Sequence, residues 1–396
     1  MVKEKKEETD DLLDFMINRQ KKAGAAVKGC SGSLTFMAKD SELFWTGVEL
    51  PSLALRWLFD SNVLPLGHII GFAGPPQSQK SSLALEMSRW ILGQKGYVSY
   101  IDCEGGKVSS SLIESIIPPE LIKRMPLTCC PTIDSAQKQI TTIIEGLKTY
   151  GADKGVKPLY GILIDSLTGA PTEGYSKRVD KSGHDEPTWG DMAKSWTGYL
   201  RKLSGELIGK PVVFMLVNHV KDKPATVPGM APKKTTPGGV EQEYASSIYL
   251  WIKRLSMDQD TKKEVLREEA LLKGGGIRRL QLETRKSSMG TEGRRIHVDF
   301  MWFYDDKQKQ QSLFNWAAAD GAFLSEHQKD YGVAEVCEVK CFDGKYTCPR
   351  LNLVKVSAEE LGRAAINDAK LVAELQTMMH VKIHKVYDGS WESFNG

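Results

Sequence analysis

The residues with the clearest chemistry are Gly74-Pro75-Pro76-Gln77-Ser78-Gln79-Lys80-Ser81, followed by Ser82. They fit the phosphate-loop pattern G-x-x-x-x-G-K-[ST] at every position but one, because Gln79 stands where the second glycine is expected. In such a loop, backbone N–H groups and a helix N-terminus surround nucleotide phosphates. Lys80 would reach the β- and γ-phosphates, and the Ser81 hydroxyl would ligate Mg²⁺. The departure at Gln79 matters, since glycine serves where the loop approaches phosphate closely or takes a positive φ. Taken alone, the stretch also reads as an ordinary Gly/Pro/Ser-rich turn.

Three further groups belong to the same chemistry if the elements bring them together. The apolar run Leu159–Ile164 ends in Asp165, a carboxylate suited to Mg²⁺ or its water shell. Glu104 lies just past the run Tyr97–Asp102, at the rim where α/β folds bind ligands. It reads either as a general base that orients a water against a γ-phosphate or as a solvated turn acid. Pro211–His219 is another apolar run, and its polar end Asn218-His219 reaches the same rim if the strands are parallel. His219 is then either a γ-phosphate sensor or a strand-capping polar residue. Cys337, Cys341 and Cys348, with His327 or His380, lack the paired C-x₂₋₄-C spacing of a zinc site and read as buried thiols.

The elements that must position these groups alternate in type. A helix over Leu53–Phe59 precedes a short strand at His68–Ile70, and a second helix opens at Ser81. Residues 112–150 alternate helix, strand and helix, with Pro126–Pro131 expected as a buried strand whose Cys129 and Cys130 pack in the core. A helix is expected over Trp189–Leu207, a strand over Ser246–Ile252, and a strand pair over Leu280–Lys286 and Arg295–Phe300. Residues 257–276 read as a charged, helix-like insert, and residues 357–379 as one amphipathic helix. Residues 172–189 read as a polar, mobile loop. The Pro/Gly/Lys-rich stretch from Lys221 and Lys223 to Lys233 and Lys234 is either a path for the backbone of a nucleic-acid strand or a solvated surface loop. This divides the chain into an N-terminal arm (1–49), an ATPase-type core (50–319) and a small C-terminal lobe (320–396). The arm is either a frayed helix on its own core or a segment that docks on a neighbouring subunit.

Composition sets wide bounds. The 396 residues are 41% hydrophobic and 26% charged, with a net charge of +3, ordinary for a soluble globular protein and neutral on the question of nucleic acid. No apolar run approaches the ~18 residues of a membrane span, and Met1–Glu8 is a charge run unlike a secretory signal. With seven cysteines, the expectation is free thiols in a reducing cytoplasm.

In this order and spacing the segments resemble the RecA recombinase family, most closely its phage UvsX-type branch, over residues 50–305. The residues that carry the resemblance are Leu66-Gly67-His68-Ile69 running into the phosphate loop, Tyr100-Ile101-Asp102-Cys103-Glu104 and Leu163-Ile164-Asp165-Ser166-Leu167. Trp189-Gly190-Asp191-Met192-Ala193, Leu216-Val217-Asn218-His219 and Gly238-Gly239 continue it. A His in place of Gln at 219 and the lost second glycine are both similar to the UvsX type.

The resemblance implies an α/β fold, a RecA-like P-loop ATPase core with a mostly parallel central sheet. It implies ATP and Mg²⁺, with Glu104, Lys80 and His219 in catalysis and Ser81 and Asp165 at the metal. Gly74 through Ser82 and Asp165 would hold the nucleotide, and Arg285 and Lys286 would face ATP on the neighbouring subunit, although Ser288 replaces the second basic residue. The family's tyrosine near the adenine is not evident after Glu104. Residues 172–188 and 221–237 would be two DNA-binding loops, using Lys177, Arg178, Lys181, Lys221, Lys223, Lys233 and Lys234, with Gly238 and Gly239 closing the second. The implied partners are single-stranded DNA, homologous duplex, further copies in a helical filament, and single-strand-binding and mediator proteins. A phage-encoded chain would work in its bacterial host's cytoplasm. Two other readings are a ring-forming helicase motor on the same core and a non-hydrolysing nucleotide-dependent scaffold.

Overall fold

Apolar runs that are hydrophobic at successive positions need cover on both faces, which is the environment of a parallel sheet sandwiched by helices. The computed structural model describes residues 46–106, 109–182, 191–223, 233–235, 241–255, 275–288, 292–305, 307, 309–326, 338–379, 381 and 385–387. The arm before Thr46, His327, Cys337, His380, Gly238, Gly239 and nearly all of the 257–276 insert lie outside the described residues. The central sheet has nine strands. They are β1 (His68–Gly74), β2 (Tyr97–Asp102), β3 (Leu127–Cys129), β4 (Tyr160–Asp165), β5 (Val212–His219), β6 (Ile248–Arg254), β7 (Gly276–Ser287), β8 (Arg295–Tyr304) and β9 (Gln310–Phe314). Their order is β3-β2-β4-β5-β1-β6-β7-β8-β9. The strands from β3 to β6 in that order run parallel, and β7, β8 and β9 return as an antiparallel meander.

The period of two along each strand divides the core into two layers. Ile70, Phe72, Val213, Met215 and Val217 face the helix Lys80–Gly93 with Leu83, Met87 and Ile91. Ile69, Ala73, Phe214 and Leu216 face the other way, against Ile140 and Ile143 of the helix Ile133–Lys154 and Leu200 and Leu203 of the helix Asp191–Leu207. The α/β fold expected from the sequence is the one observed.

Four local expectations are corrected. Residues 173–182 form a helix rather than a loop. Its first turn is held by Thr172, whose Oγ1 accepts from Tyr175 N at 3.2 Å, and by Asp134, whose Oδ2 accepts from Glu173 N at 2.7 Å. Strand β3 is an edge strand, so Leu127 is 49% exposed and Cys129 is exposed, while Cys130 alone of that pair is buried. The expected single helix over 357–379 is two, Ala358–Asn367 and Ala369–Met378, because Asp368 leaves the helical conformation and caps the second. The stems of the Lys-rich stretch are not loop but a hairpin, Lys221–Lys223 pairing antiparallel with Lys233–Thr235.

The helix Trp316–Glu326 runs through the proposed lobe boundary and packs on the helix Ala358–Asn367. Their backbones approach so closely that a Cβ on Gly321 or Gly362 would sit 1.9 Å from a carbonyl oxygen of the facing helix. A small three-stranded sheet (Lys340–Phe342, Lys345–Cys348, Leu353–Val356) lies beside this pair, with Cys348 buried as expected; Cys341, expected as a buried thiol, is instead exposed, because the strand Lys340–Phe342 lies at the sheet edge. At the other end Thr46–Glu49 pairs antiparallel with Val63–Pro65 and parallel with Lys385–Val386. Among the described residues no helix is long and apolar enough to cross a membrane.

Asp320 joins these parts. It is 1% exposed, and its Oδ1 accepts from Ser52 Oγ at 2.6 Å and from Ala54 N at 2.9 Å, so it caps the helix Leu53–Phe59 from a distant segment. Burial pushes its carboxyl up to about 7, against the pull of those donors. The folded chain therefore keeps a proton that the unfolded chain releases above its ordinary value of 3.8. The resulting stability is complete below that value and is lost as pH rises through about 7. Urea unfolding at about pH 5 and about pH 8 should show Asp320→Asn flattening this decline, by on the order of 2 kcal/mol. An unchanged pH dependence in Asp320→Asn would show that another group controls it.

Candidate functional site

Parallel register sets the ends of four strands side by side. Gly74 is opposite His219 across β1 and β5, and Asp102 is opposite Asp165 across β2 and β4. The phosphate loop leaves this carboxyl edge between β1 and the helix Lys80–Gly93. A Cβ on Gly74 would lie 2.3 Å from the Ile252 carbonyl oxygen and 2.6 Å from Ser78 Oγ, so only glycine fits there. Pro76 and Gln77 are exposed, Pro75, Gln79 and Ser81 half-buried, and Ser78, Lys80 and Ser82 buried. Gln77 (φ 61°) and Gln79 (φ 65°) are both left-handed, a geometry that turns backbone N–H groups toward an anion. Gln79 thus adopts the conformation for which glycine is normally used, and its Oε1 accepts from Ser82 Oγ at 2.8 Å.

Lys80, 4% exposed, donates from Nζ to the Pro75 carbonyl at 2.8 Å and to Ser78 Oγ at 3.5 Å. Burial pulls its pKa down to about 8, while the negative charges of Asp165 and Glu104 pull the other way. The ammonium is held inside its own loop, facing two carboxylates. Asp165 is 3% exposed; its Oδ2 accepts from Tyr100 OH at 2.7 Å, and Ser81 also bonds its carboxylate. Burial raises the Asp165 pKa, and those two hydrogen bonds lower it. Burial and the neighbouring carboxylates push the Tyr100 phenol far above its usual range, so it stays a donor.

Glu104 stands on a turn built by Asp102, whose Oδ1 accepts from Glu104 N and whose Oδ2 accepts from Gly106 N, both at 2.7 Å. Its Oε1 accepts from Ser166 Oγ at 2.6 Å and from His219 Nε2 at 2.7 Å. The side chains of Glu104, Asp165, Lys80, Ser81 and His219, all singled out from the sequence, meet at this edge. Tyr100, Asp102 and Ser166 were missed as site residues. Tyr100 and Asp102 share one face of β2 by period two, a signal the sequence did contain.

The other singled-out residues lie elsewhere. Arg285 and Lys286 are near the far end of β7, which runs antiparallel to β6, so Ser287 is opposite Ile248 at the amino edge of the sheet. Arg285 pairs with Glu283 at 3.1 Å and stacks 4.6 Å over Trp251; Lys286 Nζ donates to the carbonyl oxygens of Glu243 and Tyr244. Within one chain neither reaches the phosphate loop. Lys177 is exposed and pairs with Glu173 at 2.9 Å, Arg178 and Lys181 lie on the same helix, and Lys221, Lys223, Lys233 and Lys234 lie on the hairpin stems. Among the described residues no cluster of three His, Cys, Asp or Glu side chains could hold a metal by itself.

The left-handed cost at Gln79 is about 1 kcal/mol. Gln79→Gly should therefore raise the free energy of unfolding by up to about 1 kcal/mol, with nucleotide binding retained. Gly74→Ala should lower it by about 1–3 kcal/mol through the Ile252 and Ser78 clashes. Denaturant midpoints check both, and a Gln79→Gly variant less stable than wild type would contradict the strain argument.

No family model matches the chain. It is similar to Protein RecA of Mycoplasma mobile, 26% identical over 220 residues, which is 54% of this chain and 58% of that protein. Protein RecA of Bacillus licheniformis is 24% identical over 273 residues, 68% of this chain and 69% of that protein, and the Bacillus subtilis protein is 23% identical over 273 residues with the same coverage. The chain thus spans less than two thirds of the Mycoplasma mobile relative and slightly more of the other two. With the mostly parallel sheet and the phosphate loop at its carboxyl edge, these likenesses to RecA proteins support a RecA-like α/β core.

Proposed function

We propose that the chain is an ATP-dependent recombinase of the phage UvsX type, which forms a filament on single-stranded DNA and pairs and exchanges it with homologous duplex. The observation that carries this reading is the meeting of Glu104 and His219 at the phosphate-loop edge, with His219 leading within two residues into the Lys221–Lys223 stem. ATP is the substrate. Lys80 would exchange its bond to the Pro75 carbonyl for the phosphate oxygens, relieving a buried ammonium with anionic charge. The hard oxygen donors of Ser81 and Asp165, already bonded to each other, fit Mg²⁺. When bound, the metal supplies positive charge that offsets the charge developing on the phosphates.

Glu104 would accept the proton of the attacking water, with Ser166 and His219 fixing its carboxylate. His219 would report the γ-phosphate to the 221–237 stretch, which with Lys177, Arg178 and Lys181 contacts the DNA backbone. Arg285 and Lys286, far from their own loop, would serve the nucleotide of the adjacent copy in a head-to-tail assembly that does not close. The N-terminal arm would dock between copies, the small C-terminal lobe would pack on the core, and single-strand-binding and mediator proteins would assist loading in the host cytoplasm.

Hydrolysis of ATP with and without single-stranded DNA at two salt concentrations tests this. Strong stimulation that weakens with salt is expected. Hydrolysis indifferent to DNA would move the protein to another ATPase role, no hydrolysis would favour a scaffold, and closed rings by imaging would favour a helicase motor. Lys80→Ala is expected to abolish turnover while keeping the fold, since Asp165 keeps Tyr100 and Ser81 and Glu104 keeps Ser166 and His219 as partners. Turnover undiminished in Lys80→Ala would sink the assignment of the site.

A further inference from the structure

The last two residues of β5 face different neighbours. His219 reaches Glu104, whereas Asn218, fully buried, donates from Nδ2 to Oε1 of Gln242, also fully buried. Gln242 is the second residue of the helix Glu241–Ala245. Its carbonyl accepts from Ser246 Oγ at 2.6 Å and Ser246 N at 3.1 Å, and the Glu243 and Tyr244 carbonyls take the Lys286 ammonium. Where the chain leaves β5, Val220 N donates to the Gly74 carbonyl at 3.1 Å. The chain is thus bonded to the phosphate-loop strand at Val220, where it leaves β5, and to Asn218 again at Gln242.

A side-chain amide pair with no exposure is costly to bury, and the bond between the two offsets part of that cost, so they are displaced together. Asn218 and His219 are consecutive, with Cα atoms ~3.8 Å apart, so a displacement of one carries the other. We propose that Gln242 is a positioning residue: by its bond to Asn218 it couples the return of the 221–240 stretch to the His219–Glu104 contact. This rests on the reading of that stretch as DNA-contacting, and it adds a second connection to the one running directly through residues 220 and 221. The contact that matters for the inference is the one to Asn218, which lies next to His219 in β5.

The test uses the full chain with ATP and a single-stranded oligonucleotide. Gln242→Met keeps the shape but loses the acceptor; Gln242→Glu keeps an acceptor oxygen at the same reach. Gln242→Met is expected to retain the basal kcat, the KM for ATP and the oligonucleotide affinity by fluorescence anisotropy. Its DNA stimulation should fall about five-fold or more, the lower range of site–site coupling. Gln242→Glu should restore it, which a merely structural defect would not allow. Wild-type stimulation retained in Gln242→Met overturns this inference alone, while absence of stimulation in the wild type overturns it together with the functional reading. Should the Met variant not fold, hydrogen exchange on the wild type decides. Segments 216–220 and 241–246 must change protection together when the oligonucleotide is added, and a change confined to one overturns the coupling.

Discussion

The parallel register of β2, β4, β5 and β1 is the constraint on which everything else depends. It alone sets Asp102 against Asp165 and Gly74 against His219, and it does so through backbone hydrogen bonds rather than through the site's own side chains. A slip of one residue in any of these strands would turn its apolar set from one layer to the other and move the terminal polar residue off the edge. The division of Ile69 and Ile70, or of Phe214 and Met215, between two layers resists such a slip. Core packing and site geometry are thus one requirement seen twice.

The charges at that edge are arranged against their own comfort. A buried ammonium, a buried carboxylate and a second acid share a small space, and each is offset by neighbours: Lys80 by Pro75 and Ser78, Asp165 by Tyr100 and Ser81, Glu104 by Ser166 and His219. Such a set is fully connected within the chain, yet every member carries a hydrogen bond that a polyanion and its cation could replace. For a ligand of that kind the energetic reward would come from exchanging partners, with little new ordering.

Much of this was legible in the residues before any coordinates. Apolar runs of strand length ending in a polar residue marked β2, β4 and β5, the short run His68–Ile70 marked the start of β1, and the Gly74–Ser81 spacing marked the loop. Local pattern failed where a partner outside the window decides. The polar composition of Glu173–Ser182 looks like loop until Asp134 and Thr172 are seen holding its first turn. Leu127 looks like core because nothing local says that its strand is last in the sheet. Ser166 is 62 residues from Glu104 and Tyr100 is 65 from Asp165, separations at which periodicity says nothing. The lysines of the hairpin stems were visible as charge, but their pairing was not.

The strand Thr46–Glu49 lines up with Lys385–Val386, and Asp320 caps a helix 268 residues before it. On the ribosome, the first elements to emerge wait for the last. Until the distal segments have been made, the helix Leu53–Phe59 has its Ser52 cap but lacks the Asp320 carboxylate that holds Ser52 and Ala54 N, and Thr46–Glu49 has only Val63–Pro65 beside it. Contacts this distant in the chain are entropically late, so the sheet edge with its loop can assemble while the amino-terminal flank is still open. A nascent chain can pass through an interval in which the phosphate-loop edge is complete and the flank is unsealed. In that interval the Leu53–Phe59 helix lacks the cover that the helix Trp316–Glu326 later supplies.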